Sequence, residues 1–188
     1  MTGKRAAKRR DKSERVLRAA QEIFSNEPFD SVTTAQLADH AGLTTGTFFR
    51  YATSKAELFI ETYTNVLEQC IAAARVFPES TPADERVLAL VEPMISATEK
   101  HPGNVSAFQR EVLFGTGTGP NRDLAIELVI EIERELKTIL GDKNLAHAVY
   151  ATLYMAIVRV AVGTLKPENL RRNMQTRIAF LLSTRDVS

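Results

Sequence analysis

The sequence has no tryptophan and a single cysteine, Cys70, among its 188 residues. One cysteine permits neither an intrachain disulfide nor a thiolate metal cluster, and it fits a reducing, cytoplasmic setting. Long apolar runs are missing too. The most apolar stretch, Met155 to Leu165, is short and interrupted by Arg159, so no membrane span is expected. The N-terminus carries charge without an apolar segment and does not read as a signal peptide. Histidine is scarce, and His40, His101 and His147 lie far apart. Glu92, His101, Glu111 and His147 could be assembled into a metal site on paper. No His/carboxylate pair at helical spacing supports that assembly, and no Ser/His/Asp signature is present. Neither catalysis, a metal nor a cofactor is expected.

Net charge is nearly absent as well, at +1, until the chain is divided. Residues 1–55 hold ten Lys/Arg against six Asp/Glu, a net +4, and the remainder holds fourteen against seventeen, a net −3. Within residues 1–12, Lys4, Arg5, Lys8, Arg9, Arg10 and Lys12 face only Asp11. A basic end on a slightly acidic body points to a polyanion partner for that end. The alternative is a solvated tail.

What is present is helical punctuation. Thr33 and Gln36 have capping-box spacing, and Leu37, Ala38 and Ala41 give the helix they open a small apolar face. Gly42 follows where a chain leaves a helix through a left-handed conformation. Thr44 is a second N-cap candidate, for TGTFFRYA. Ser54 and Glu57 form a further capping box that opens a long helix. Three starts so close together leave room only for short helices crossing steeply, which is helix-turn-helix geometry.

The strings VLRAAQEIF (Val16 to Phe24) and SVTTAQLADHAGLTTGTFFRYATSKAEL (Ser31 to Leu58) resemble the DNA-binding domain of the TetR family of bacterial regulators. The resemblance covers roughly the first third of the chain. It rests on AA-x-x-x-F, then T-x-x-x-[IL]-A-x-x-A-G-[VL], then an aromatic-rich third helix followed by S-K-x-x-L. Two positions depart from the family pattern: Ala52 stands where a bulkier residue is usual, and Phe49 where tyrosine is common.

Beyond the head, helical periodicity continues and no strand pattern competes. A first helix is expected over 13–25, covering the two short ones. A long connector is expected over 54–76. Further helices are expected over 83–100, with a kink at Pro93, over 105–114, 121–140 and 144–163, and after Pro167. The glycine-rich run 115–120 reads as a flexible link, because a phosphate loop needs a preceding strand and a G-K-[ST]. The expected fold is all-α with about nine helices. Residues 1–55 would form a three-helix DNA-binding head, with a basic arm at 1–12 and the helix-turn-helix at 33–51. Residues 56–188 would form a helical ligand-binding and dimerisation domain.

In the third helix, Phe48 and Ala52 would face the first helix. Thr45, Gly46 and Phe49 would then face base edges, where threonine and phenylalanine can meet a thymine methyl. Thr44, Thr47 and Tyr51 would flank them, with Arg9, Arg10 and Lys12 on the arm. The resemblance implies phosphate contacts from Thr33, Tyr51 and Lys55. The eighth helix, apolar nearly all round, and the narrow leucine/isoleucine seam of the ninth predict a two-fold dimer joined through those two helices, and two heads related by that axis would bind an inverted-repeat operator in double-stranded DNA. By resemblance, a small-molecule ligand would bind in the body, with Met94, Phe108, Phe114, Tyr150 and Tyr154 as walls and Arg110 and His147 as polar fixers. The implied function is a repressor released by that ligand. The rival reading is a helical adaptor whose head contacts protein.

Overall fold

A computed structural model describes residues 2–116 and 119–183, so Gly117 and Thr118 of the glycine-rich link lie outside the described residues. Among the described residues every secondary-structure element is a helix. Its α-helices are α1 (Thr2–Phe24), α2 (Thr34–His40), α3 (Thr45–Phe48), α4 (Lys55–Val76), α5 (Ala83–Lys100), α6 (Pro102–Phe114), α7 (Pro120–Leu140), α8 (Lys143–Ala161) and α9 (Leu170–Ser183). Short 3-10 turns at Phe29–Ser31 and Pro167–Asn169 complete it.

The largest departure from expectation is α1, which begins at Thr2 rather than Ser13. The basic arm is a helical extension. Past Gly3 it consists, Asp11 apart, of Lys, Arg and Ala, all strong helix formers, with no Gly or Pro before Phe24. Two smaller corrections follow from proline and glycine chemistry. Pro102 opens α6 at its first turn instead of merely closing α5, because its missing N–H is not needed there. The third helix is only Thr45–Phe48, and its end continues as turns through Tyr51. Pro93 stands inside α5 as expected.

The central helix is α4, which packs along α5 and α7, while α1 lies across its first half. Ten of its residues are buried, more than an amphipathic surface helix would cover, because it is enclosed on several sides. An aromatic line crosses it. Phe24 of α1 meets Phe59 at 4.8 Å, Phe59 meets Tyr63 at 4.9 Å, and Tyr63 stacks on Phe108 of α6 at 5.8 Å. Behind α4, α8 packs on α7 and α9, and α9 packs on α5. Leu170, Met174 and Ile178 of α9, spaced four apart, have no exposed surface.

One buried amide ties the head to the body. Asn104, on the first turn of α6, is 3% exposed. Its Nδ2 donates to the carbonyls of Phe24 (2.8 Å) and Glu27 (3.1 Å), and its Oδ1 accepts from the Phe29 N–H (2.8 Å). The end of α1 leaves carbonyls without intrahelical partners, and Asn104 satisfies two in this turn.

Candidate nucleic-acid interface

The turn between α2 and α3 is built as its sequence demands. Thr33 caps α2 reciprocally: its Oγ1 accepts from the Gln36 N–H at 3.2 Å, and Gln36 Oε1 accepts from the Thr33 N–H at 2.8 Å. Gly42 has φ +64°, a conformation cheap only for glycine. An Arg15 Nη2 donates to the Ala41 carbonyl at 2.6 Å beside it, placing positive charge at the C-terminal end of α2, where the helix dipole favours it. Thr44 caps α3, accepting from the Thr47 N–H at 3.3 Å and donating to the Thr47 hydroxyl at 2.9 Å.

The short α3 and the turn that follows it divide their residues by face. Phe48 is fully buried and Ala52 is 7% exposed, so both pack inward. Phe49 is 50% exposed and stands edge-on to Phe48. Thr45 and Gly46 are exposed on the same short helix, and a Cβ placed on Gly46 would meet nothing within 4 Å. Another surface can therefore approach this backbone closely. Beside it, Lys8, Arg9 and Lys12 of α1 and Arg50 and Tyr51 after α3 line an open cleft of about 400 Å³. Four cations and a phenol around one concavity match what a phosphate backbone requires.

Of the arm residues expected at DNA, Arg9 and Lys12 join this cleft, while Arg10 lies alongside Glu14 at 3.5 Å. Sequence reasoning missed Lys8 and Arg50 as members. Lys8 and Lys12 are one helical turn apart, so the signal lay in the unbroken helix propensity of residues 4–12. Lys55 is also occupied differently from expectation. Its Nζ donates to the carbonyls of Phe29 and Val32, both at 2.9 Å, and sits 4.1 Å from the Phe29 ring centroid. Its charge is held within the head.

The residues expected at a ligand stand in differing surroundings. Met94 and Phe108 are buried, Phe108 within the aromatic line. Arg110 lies on the surface, bonded to Asp30 at 2.8 Å, and that guanidinium holds the Asp30 carboxyl below its ordinary range. Phe114 is 73% exposed at the end of α6. His147 is exposed, 3.4 Å from Glu133. Tyr150 and Tyr154 are half-buried on α8, and burial pushes the Tyr150 phenol up, with Glu133, Cys70 and Tyr154 adding to it. Periodicity found the helices but not which residues meet, because several of these helices are covered on more than one side.

A helical body headed by a helix-turn-helix, with a basic extension beside an exposed reading helix, defines the class of DNA-binding regulators. Residues 16–62 match the family described as bacterial regulatory proteins, tetR family. That match runs from Val16 of α1 to the start of α4 and so covers the helix-turn-helix head. It is 28% identical over 148 residues to the nucleoid occlusion factor SlmA of Vibrio cholerae, covering 77% of this chain and 73% of that one. Among solved structures, a tetR-family regulator from Streptomyces coelicolor superposes with a TM-score of 0.72 at 15% identity, covering 93% of this chain and 82% of the other. The repressor FadR of Thermus thermophilus, in complex with lauroyl-CoA, superposes with a TM-score of 0.68 at 20% identity, covering 90% and 93%.

Proposed function

We propose that this chain is a dimeric, sequence-specific repressor that a small-molecule ligand releases from its operator. The observation that carries the reading is the exposed face of Thr45, Gly46 and Phe49 set beside the cleft of Lys8, Arg9, Lys12, Arg50 and Tyr51. The first set suits base edges, since it offers a hydroxyl, a bare backbone and an apolar ring. The second suits phosphates on either side, and Thr44, Thr47 and the capped start of α2 at Thr33 would add further contacts to the backbone. Residues 1–55 carry this DNA-reading part and residues 56–188 the ligand-binding and dimerisation part. The operator is an inverted repeat, as a two-fold dimer requires. Met155 on α8, Val162 at its C-cap and Phe180 on α9, all more than half exposed, would supply an apolar contact for the symmetry mate.

Release by a ligand is supported by the repressor FadR of Thermus thermophilus and the transcriptional regulator FadR of Bacillus subtilis, solved with lauroyl-CoA and stearoyl-CoA on a similar fold. In this chain the ligand would be held from Met94, Phe108, Tyr150 and Tyr154 inward, with Arg110, Phe114 and His147 at the periphery. The relatives named as nucleoid occlusion factors favour one second reading, a chromosome-binding factor that acts other than through nearby promoters. Genome-wide selection of bound fragments separates the two. A few inverted repeats beside promoters support the repressor; sites scattered along the chromosome away from promoters support the occlusion reading. Absence of any sequence preference contradicts both.

A further inference from the structure

The end of α1, the middle of α4 and the end of α5 meet around a cleft of about 170 Å³ that the DNA-reading face does not use. Phe24, Tyr63, Val66 and Ala97 give it an apolar lining, two of them aromatic, and Lys100 and His101 stand in its wall. Lys100 is exposed and has no ion pair among the described residues. His101 Nε2 is buried and has no hydrogen-bond partner. A buried ring nitrogen without a partner is costly, and this one stands next to a free cation. The remaining polar members, Thr62 and Ser25 among them, are neutral. On the far side of Lys100 and His101 a second cleft of about 170 Å³ runs along Glu27, Pro28 and Asn104.

We infer that the cleft between α1, α4 and α5 is a binding site for a small aromatic carboxylate. The ring lies against Phe24, Tyr63 and Val66, and the carboxylate accepts from the Lys100 ammonium and the His101 ring N–H. Each feature answers one part of that ligand: an apolar slot the size of a single ring, one positive charge and one unpartnered ring nitrogen. The position gives the site a consequence. Asn104, three residues beyond His101, holds the last turn of α1 through the Phe24 and Glu27 carbonyls. A ligand wedged against Phe24 acts on the same turn, and through it on the helix that carries the basic extension. This consequence for DNA rests on the function proposed above. Binding itself does not.

The test uses the full chain without DNA and benzoate as the probe, with benzamide as its uncharged counterpart. Methyl resonances of Val66 and Ala97 and isothermal titration are followed together. Benzoate is expected to shift both methyls with one site per chain, and benzamide to bind at least tenfold more weakly. Lys100→Gln, an exposed change, should weaken benzoate at least tenfold, and Ala97→Phe, which fills the slot, should abolish it with helicity intact. Unshifted Val66 and Ala97 methyls at millimolar benzoate would overturn the assignment. So would benzamide binding as tightly as benzoate, or a Lys100→Gln protein of unchanged affinity. A protein that binds benzoate here but no operator would leave this site standing and remove the repressor reading. The converse result would do the opposite.

Discussion

Asn104 and Lys55 are polar residues that organise apolar surroundings, and both do so by satisfying backbone groups of the same turn. Asn104 serves three of them between Phe24 and Phe29, and Lys55 serves Phe29 and Val32. Truncating either leaves carbonyls or an N–H without partners, which costs roughly 1–3 kcal/mol per buried group. Asn104→Ala should lower the unfolding free energy by at least that amount in urea titration; a loss below about 0.5 kcal/mol would mean water replaces the amide freely. Lys55→Met keeps the stem over Phe29 but removes the donors, and it should destabilise by roughly 1–3 kcal/mol on the same grounds. Two carboxylates add a pH dependence. Arg110 holds Asp30 down by hydrogen bonding. Burial pushes Glu92 up, but the Arg171 and Ser96 hydrogen bonds outweigh it and hold it low. A carboxyl depressed on folding stabilises above its unfolded pKa, about 4, and that stability fades as pH falls through the lower folded value. Arg110→Gln and Arg171→Gln should therefore narrow the difference in melting temperature between pH 7 and pH 3.

Helix ends show what the sequence could and could not reveal. The α2 box at Thr33 and Gln36 and the left-handed Gly42 were legible because every partner lies within four residues. Glu57 was not. Ser54 Oγ accepts from the Glu57 N–H at 3.0 Å as capping chemistry predicts. The Glu57 carboxylate, however, turns away and accepts from the Asn121 N–H at 3.0 Å, at the start of α7. A buried carboxylate at a helix N-terminus is well placed electrostatically, but its partner lies 64 residues away, beyond any local pattern. This docking explains Gly119, the N-cap of α7. Its φ of −178° is ordinary extended backbone, yet a Cβ there would stand 2.3 Å from the Glu57 carboxyl carbon. Gly119→Ala should therefore destabilise by roughly 1–3 kcal/mol through overpacking, and pairing it with Glu57→Ala should recover part of that loss. Additive losses in that double-mutant cycle would show that the two do not meet. The helical state of residues 2–12 was hidden for another reason. A run of Lys and Arg is compatible with both a solvated coil and a helix, and only its attachment to α1 decides.

At the scale of the molecule, the periodicity made the all-helical fold and the reading head readable, while the grouping of body residues was not. Phe114 and His147 lie on the surface and Phe108 is packed against Tyr63, because a hydrophobic period names a helix's faces without naming their neighbours. The function proposed above gives the head one account, in which α1 would extend the DNA surface and the α3 region would read it. Phosphate contacts release counterions, so each one lost flattens the dependence of log affinity on log salt by roughly 0.9. Base contacts leave the slope largely alone and change sequence preference by about 1–3 kcal/mol. The measurement that separates these roles is salt-dependent binding to a selected inverted repeat, with wild type, Lys8→Ala/Arg9→Ala/Lys12→Ala and Phe49→Ala compared side by side. The account predicts a steep wild-type slope, a shallower slope with unchanged sequence preference for the triple variant, and an unchanged slope with altered preference for Phe49→Ala. A triple variant whose slope equals that of wild type would contradict it.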